Sequence, residues 1–216
     1  MYESVPLDGA IRQGDIFIGL PKVELSLKAV DVLTESGRIA QQSWTDVANA
    51  GVPATASVVV EPVCAIVASQ DCDAAREEYI NLWQVARLVD VVPEAANTSK
   101  NSKKPGKFIA LITRSSRINL KFFYLPEAQE YGIADRMAVD FLVSLRLFRE
   151  DLLEHRHLRI CRLADVAYEH FRERCSEFYR RYPYNEWYPM TKTEFGIYKD
   201  SQKGADIRPY PGQEAD

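Results

Sequence analysis

The chain lacks most of the patterns that announce a well-known chemistry. It has no Walker loop, no GxGxxG, no GxSxG and no HExxH, which disfavours nucleotide-dependent and serine-hydrolase reactions. Histidine is scarce: His155, His157 and His170 are the only three, with Cys161 close in sequence to the first two. Their spacing matches no structural zinc signature, so this stretch reads as a polar turn, and no metal or other cofactor is expected. The four cysteines, Cys64, Cys72, Cys161 and Cys175, are widely separated and form no CxxC. Thiols so placed suit a reduced, cytoplasmic setting, most of them acting as small core residues. The start of the chain has no basic segment followed by an apolar one, so no secretory signal is expected. The longest apolar stretch, 57–69, is broken by Glu61 and Pro62 and is too short to span a membrane. An excess of positive charge is also missing. At a net charge of −4 the molecule is no general binder of polyanions, and any nucleic-acid contact must come from a local patch.

What is present begins with Ile11-Arg12-Gln13-Gly14-Asp15-Ile16-Phe17. Gly14-Asp15 supplies a sharp turn, and Ile16, Ile18 and Leu20 alternate after it as the opening strand of a small barrel. Beyond Pro21, Val23, Leu25, Leu27 and Ala29 predict a second strand. Residues 34–55 read as an excursion with one short helix over Trp44 to Ala50, pinned to the body by Trp44. Val58 to Ala68 is β-branched and apolar on both faces, as a central strand would be, and ends at Ser69-Gln70-Asp71-Cys72-Asp73. A polar turn over 74–78 leads into 79–92, read mostly as strand. Residues 94–107 read as a loop and 108–115 as a short helix. Ile118 to Tyr124, Val139 to Leu147 and Leu158 to Leu163 complete the strands. Leu163, Ala167, Phe171, Cys175, Phe178 and Tyr182 then form a stripe at spacings of four, four, four, three and four, predicting an amphipathic helix over 164–182 with Asp165 as N-cap.

Three groups of residues are candidates for function. Asp71, Cys72 and Asp73 place a thiol between two carboxylates at a strand end, and either an aspartate or the thiol is the candidate catalytic group. Flanking carboxylates disfavour a thiolate, which needs a cation or a helix N-terminus. The second group is basic: Lys100, Lys103, Lys104, Lys107, Arg114, Arg117 and Lys121 fall in one stretch with no acidic residue among them, and could follow an RNA or DNA backbone. The third is the aromatic tail, 183–203, in which Tyr184, Trp187 and Tyr188 could dock a protein partner. Arg180-Arg181-Tyr182-Pro183-Tyr184 mixes cations with aromatics as stacking surfaces do, although a helix C-terminus favours arginine on its own account.

The Arg-Gln-Gly-Asp-Ile start and the strand Val-Val-Val-Glu-Pro-Val-Cys-Ala-Ile-Val-Ala-Ser-Gln-Asp resemble the MazF/PemK toxin group over roughly residues 11–92. The resemblance implies an SH3-like barrel and, in that group, RNA cleavage or the binding of a cognate partner. Only Gly14, Asp15, Ser69 and Asp71 carry over. Glu61 precedes Pro62 where those ribonucleases have arginine, so the usual catalytic arginine is missing. The Ser-Gln-Asp-Cys-Asp string also resembles prokaryotic and phage proteins with this strand start and a C-terminal helix.

The resulting expectation is an α+β protein: an SH3-like, mostly antiparallel β-barrel with insertions, one long C-terminal amphipathic helix and an aromatic tail. It forms a single domain over 1–203, with the barrel at about 11–163 and a disordered 204–216. Three functional classes stay open. One is a non-catalytic binding module of a prokaryotic defence, toxin–antitoxin or phage system. The second is a ribonuclease-like enzyme using Asp71, Asp73 and a basic residue such as Arg12 or Arg114. The third is a Cys72-dependent hydrolase or a metal protein.

Overall fold

Period-two patterning in the chain becomes two antiparallel sheets in the computed structural model, which describes residues 1–34, 36–91, 121–180 and 193. The strands are β1 (Tyr2–Glu3), β2 (Asp15–Val23), β3 (Val30–Leu33), β4 (Ile39–Gln42), β5 (Ala56–Ser57), β6 (Val60–Val67), β7 (Tyr79–Arg87), β8 (Phe122–Leu125), β9 (Met137–Phe148) and β10 (Arg159–Leu163). Among the described residues five α-helices join them: α1 (Trp44–Ala50), α2 (Asp71–Arg76), α3 (Leu88–Val91), α4 (Arg149–Glu154) and α5 (Asp165–Arg180). Seven strands form the main sheet in the order β1-β10-β2-β6-β7-β9-β8, and β4-β3-β5 form a smaller one. The protein is therefore α+β with antiparallel pairing, as expected, but the barrel is corrected. The main sheet is open, with β1 and β8 at its two ends and no pairing between them among the described residues.

Each side of the main sheet has its own core, and this is why the barrel is not needed to bury the strands. On one side Ile16, Ile66, Trp83 and Phe141 pack against Ala167, Phe171, Cys175 and Phe178 of α5. On the other, Phe17, Ala65, Val67, Ile80 and Leu82 pack with Ala74 of α2 and Leu152 of α4. Phe171, fully buried, meets Phe123 edge-on at 5.2 Å between ring centres and Trp83 at 6.0 Å. Ala167, Phe171, Cys175 and Phe178 thus pack as the stripe's spacing predicts, with Tyr182 outside the described residues, while Asp165 stands in the first turn and the first carbonyl acceptor is that of Ala164.

Several local expectations also change. Ile16 and Phe17 are both buried and Ile18 is exposed, because the β2–β6 register slips between Phe17 and Leu20 at Gly19, whose φ is +71°. β2 runs through Pro21, opposite Pro62, and 24–29 form no strand. β6 is buried only in its second half; Val58 to Val60 are exposed. The polar turn after Asp73 is instead α2, which starts at Asp71, and 88–91 are helical rather than strand. α1 occupies Trp44 to Ala50 as read, capped by Ser43 and closed by Gly51 in the left-handed conformation. Its packing residue, however, is Val47 with Val30 and Val32, and Trp44 is 45% exposed rather than an anchor. The loop over 94–107 and the helix over 108–115 lie outside the described residues.

Candidate functional site

The two sequence motifs meet. Gly14 adopts φ +88°, a conformation glycine enters without a Cβ penalty, and its N–H donates to the Val67 carbonyl at 3.0 Å. This brings the turn before β2 against the end of β6. The Gln13 side chain, itself buried, donates to the Ala68 carbonyl at 2.8 Å, and the Gln13 N–H donates to Asp71 Oδ1 at 2.8 Å. Arg12 completes the junction, its Nε and Nη2 donating to Asp71 Oδ2 at 3.0 and 2.8 Å. The carboxylate raises the Arg12 pKa further, by hydrogen bonding first and by charge second. Both oxygens of Asp71 are therefore engaged, one by a cation and one by a backbone amide. Ser69 closes the next step along: its Oγ accepts from the Asn81 N–H at 2.9 Å, tying the strand end to β7.

The neighbours of Asp71 do different work. Asp73 Oδ1 accepts from Arg76 Nη2 at 3.1 Å and from the Cys72 thiol at 3.5 Å. Cys72 is exposed, and the neighbouring cation Arg76 is directed to Asp73 and Glu77. Among the described residues, the Cys72 thiol has the Asp73 carboxylate as its one hydrogen-bond partner. Among the described residues no group of three or more His, Cys, Asp or Glu side chains could hold a metal. His155 and His157 have ring centres 5.8 Å apart, but His155 Nδ1 bonds the Asp151 carbonyl at 2.8 Å, and Cys161 is buried in the core.

Asp15, one of the residues the resemblance carries over, is fully buried and sits at the centre of a polar cluster. Its carboxylate accepts from Arg159 Nη1 at 2.9 Å, from Arg162 Nε and from Arg162 Nη2 at 3.1 Å, and from the Arg12 N–H at 3.0 Å. Arg159 spends its remaining donors on the carbonyls of Pro6, Gly9 and Ala10, at 2.8, 2.9 and 3.0 Å. Both oxygens of this one carboxylate are engaged, by two guanidinium groups and a backbone amide, so it is an anchor for the N-terminal segment rather than a reactive centre. The sequence reading missed Arg159 and Arg162. The available signal was Arg159 standing in register with Cys161 and Leu163, the buried face of β10, where a cation requires a carboxylate.

Of the basic group, Lys100, Lys103, Lys104, Lys107, Arg114 and Arg117 lie outside the described residues, as do Tyr184, Trp187 and Tyr188. Lys121 is described, its ammonium 4.7 Å from the ring centre of Phe122. Glu61, standing where the ribonucleases have arginine, is exposed and lies 3.9 Å from Lys22. Tyr168, which the sequence did not single out, sits over Gly14 and within the field of the Arg12–Asp71 pair; burial first, then Asp71, raises its pKa. Comparison with known proteins gives no match: no family model, no curated protein and no solved structure is similar to this chain. No described helix is long and apolar enough to cross a membrane.

Proposed function

We propose that the protein is a non-catalytic binding module of a prokaryotic defence, toxin–antitoxin or phage system, working in the cytoplasm and contacting single-stranded nucleic acid through a basic surface. The observation that carries this reading is the use to which the motif residues are put. Gly14, Asp15, Ser69 and Asp71 are spent on joining β2, β6, β7 and β10, with Arg12 held against Asp71. An aspartate acting as general base needs a lone pair turned toward a substrate proton. Asp71 has both oxygens already engaged, one by the Arg12 guanidinium and one by the Gln13 N–H.

The MazF/PemK resemblance belongs to this proposal. In it, β2, β6, β7, β9 and β10 are an SH3-like set of strands that stays open, and Glu61 in place of the catalytic arginine accounts for the loss of cleavage. Lys100 to Lys121 supply the phosphate contacts, and Tyr184, Trp187 and Tyr188 supply a protein contact.

The test is an RNA assay with two variants. Single-stranded RNA incubated with the protein stays intact and is bound, and Asp71→Asn leaves both results unchanged. Reversing charge at Lys103, Lys104 and Lys107 lowers affinity and flattens the dependence of log K on log salt by about 0.7 per lost phosphate contact. RNA cleavage that disappears in Asp71→Asn would replace this reading with the ribonuclease one.

A further inference from the structure

Beside the motif junction, the β7–β9 ladder changes character. Tyr79 pairs with Phe148 and Asn81 with Arg146, so these four side chains share one face. The opposite face of the same strands carries Ile80, Leu82 and Leu145 into the core. Helix α5 covers the Trp83 end of the first face; at the Tyr79 end, Phe148 is 46% exposed and the surface is concave. Glu77, Glu78, Tyr79, Asn81 and Arg146 line an open groove of ≈ 410 Å³ there, within the range of roughly 300–1,000 Å³ usual for small-molecule sites.

The lining sets a guanidinium over an aromatic ring beside hydrogen-bond acceptors. The Arg146 guanidinium lies 4.1 Å from the centre of the Tyr79 ring, and the Tyr79 and Phe148 rings are 4.6 Å apart with 34° between their planes. Glu77 is partly engaged by Arg76 Nε at 3.5 Å, whereas Glu78 makes no ion pair among the described residues. The Asn81 side-chain amide likewise makes no hydrogen bond among them, although its backbone is bound to Ala68 and Ser69.

We infer that this groove is a subsite for a single unpaired guanine, stacked on the Arg146–Tyr79 pair and held at its edge by Glu78 and Asn81. The inference rests on the nucleic-acid reading above and sharpens it. A planar π system and an Arg guanidinium are what base stacking uses. A carboxylate only accepts, so it selects a base edge that donates. Guanine, with its ring N1–H beside its exocyclic amino group, presents two adjacent donors to the two oxygens of one carboxylate. The two glutamates repel phosphate, which places the backbone outside the groove. A lysine or arginine side chain from a partner is the competing ligand for an acid-and-aromatic pocket. Arg146 already holds the Tyr79 ring that such a cation would need, and its charge opposes a second one.

The test uses the full chain and two probes, free guanosine monophosphate followed by calorimetry and a labelled oligouridine with or without one guanosine followed by anisotropy. Guanosine monophosphate binds, and inosine monophosphate, lacking the exocyclic amino group, binds roughly tenfold or more weakly. Glu78→Gln and Tyr79→Ala each lower guanine affinity by about 10–100-fold, while Tyr79→Phe, which keeps the stack, does not. Equal binding of guanosine and inosine monophosphates, or insensitivity to both Glu78→Gln and Tyr79→Ala, overturns the subsite. If RNA still binds in a salt-dependent way in that case, the binding-module reading stands without it. If the free nucleotide binds as described but RNA does not, the subsite stands as a mononucleotide site and the nucleic-acid reading falls. Binding of an arginine-rich peptide that Glu78→Gln abolishes, with no guanine binding, overturns the inference in favour of a cationic partner.

Discussion

Replacing Asp15 by asparagine asks how much of this fold hangs on one buried carboxylate. The substitution keeps size and leaves an oxygen for the Arg12 N–H, but removes the charge facing two guanidinium groups. Asp15 is 0% exposed, and the side chains of Arg159 and Arg162 are 2% and 13% exposed, so water does not replace what is lost. Breaking one partner of such a buried cluster costs about 3–5 kcal/mol. Arg159 keeps its three carbonyl acceptors, which favours the lower half of that range, whereas Arg162 keeps only the Ala10 carbonyl at 2.8 Å. For a folded unit of this size, the loss is a fall in melting temperature of roughly 6–20 °C. Thermal and urea unfolding of Asp15→Asn measure it, with the urea slope unchanged if the effect is on the native state. A loss below about 1 kcal/mol would refute the claim that this cluster anchors the N-terminal segment.

Three further outcomes follow from the same geometry. The Arg12–Asp71 pair is half-exposed, so a double-mutant cycle on Arg12→Ala and Asp71→Ala yields a coupling of only about 0.5–1 kcal/mol, and both single variants stay folded. Of the four thiols only Cys72 is exposed; native protein therefore shows one thiol that labels rapidly, and Cys72→Ser removes it while Cys161 and Cys175 react only on unfolding. Burial pushes the Cys161 and Cys175 thiols from 9.0 up to about 12. Unfolding then releases protons in alkaline solution, so their contribution is intact below about 9 and declines as pH rises toward 12, by about 1.4 kcal/mol per pH unit and thiol. A urea midpoint that stays level across that interval would contradict it.

Elements whose burial is decided locally were legible in the sequence. The stripe from Leu163 to Phe178 needs only one partner surface, and the short helix over Trp44 to Ala50 carries its own caps in Ser43 and Gly51. What failed was inference about the sheet as a whole. Ile16 beside Phe17, and Ile66 between Ala65 and Val67, are apolar on both faces because each face has a separate core, and local alternation does not say whether such a sheet closes. The candidate site was found as two segments without their relation. Nothing in residues 11–17 or 69–73 reveals that Arg12 and Gln13 close on Asp71, since that contact spans 59 and 58 positions. The groove at Tyr79 was invisible for the same reason, being assembled from facing residues of β7 and β9.

The most direct test of the central claim is a salt titration of single-stranded RNA binding, with the recovered RNA sized on a denaturing gel. Full-length RNA is expected at every point, with an affinity falling linearly in log K against log salt and the same curve for Asp71→Asn. Shortened RNA produced by the native chain and not by Asp71→Asn would contradict it, and so would an absence of binding at low salt.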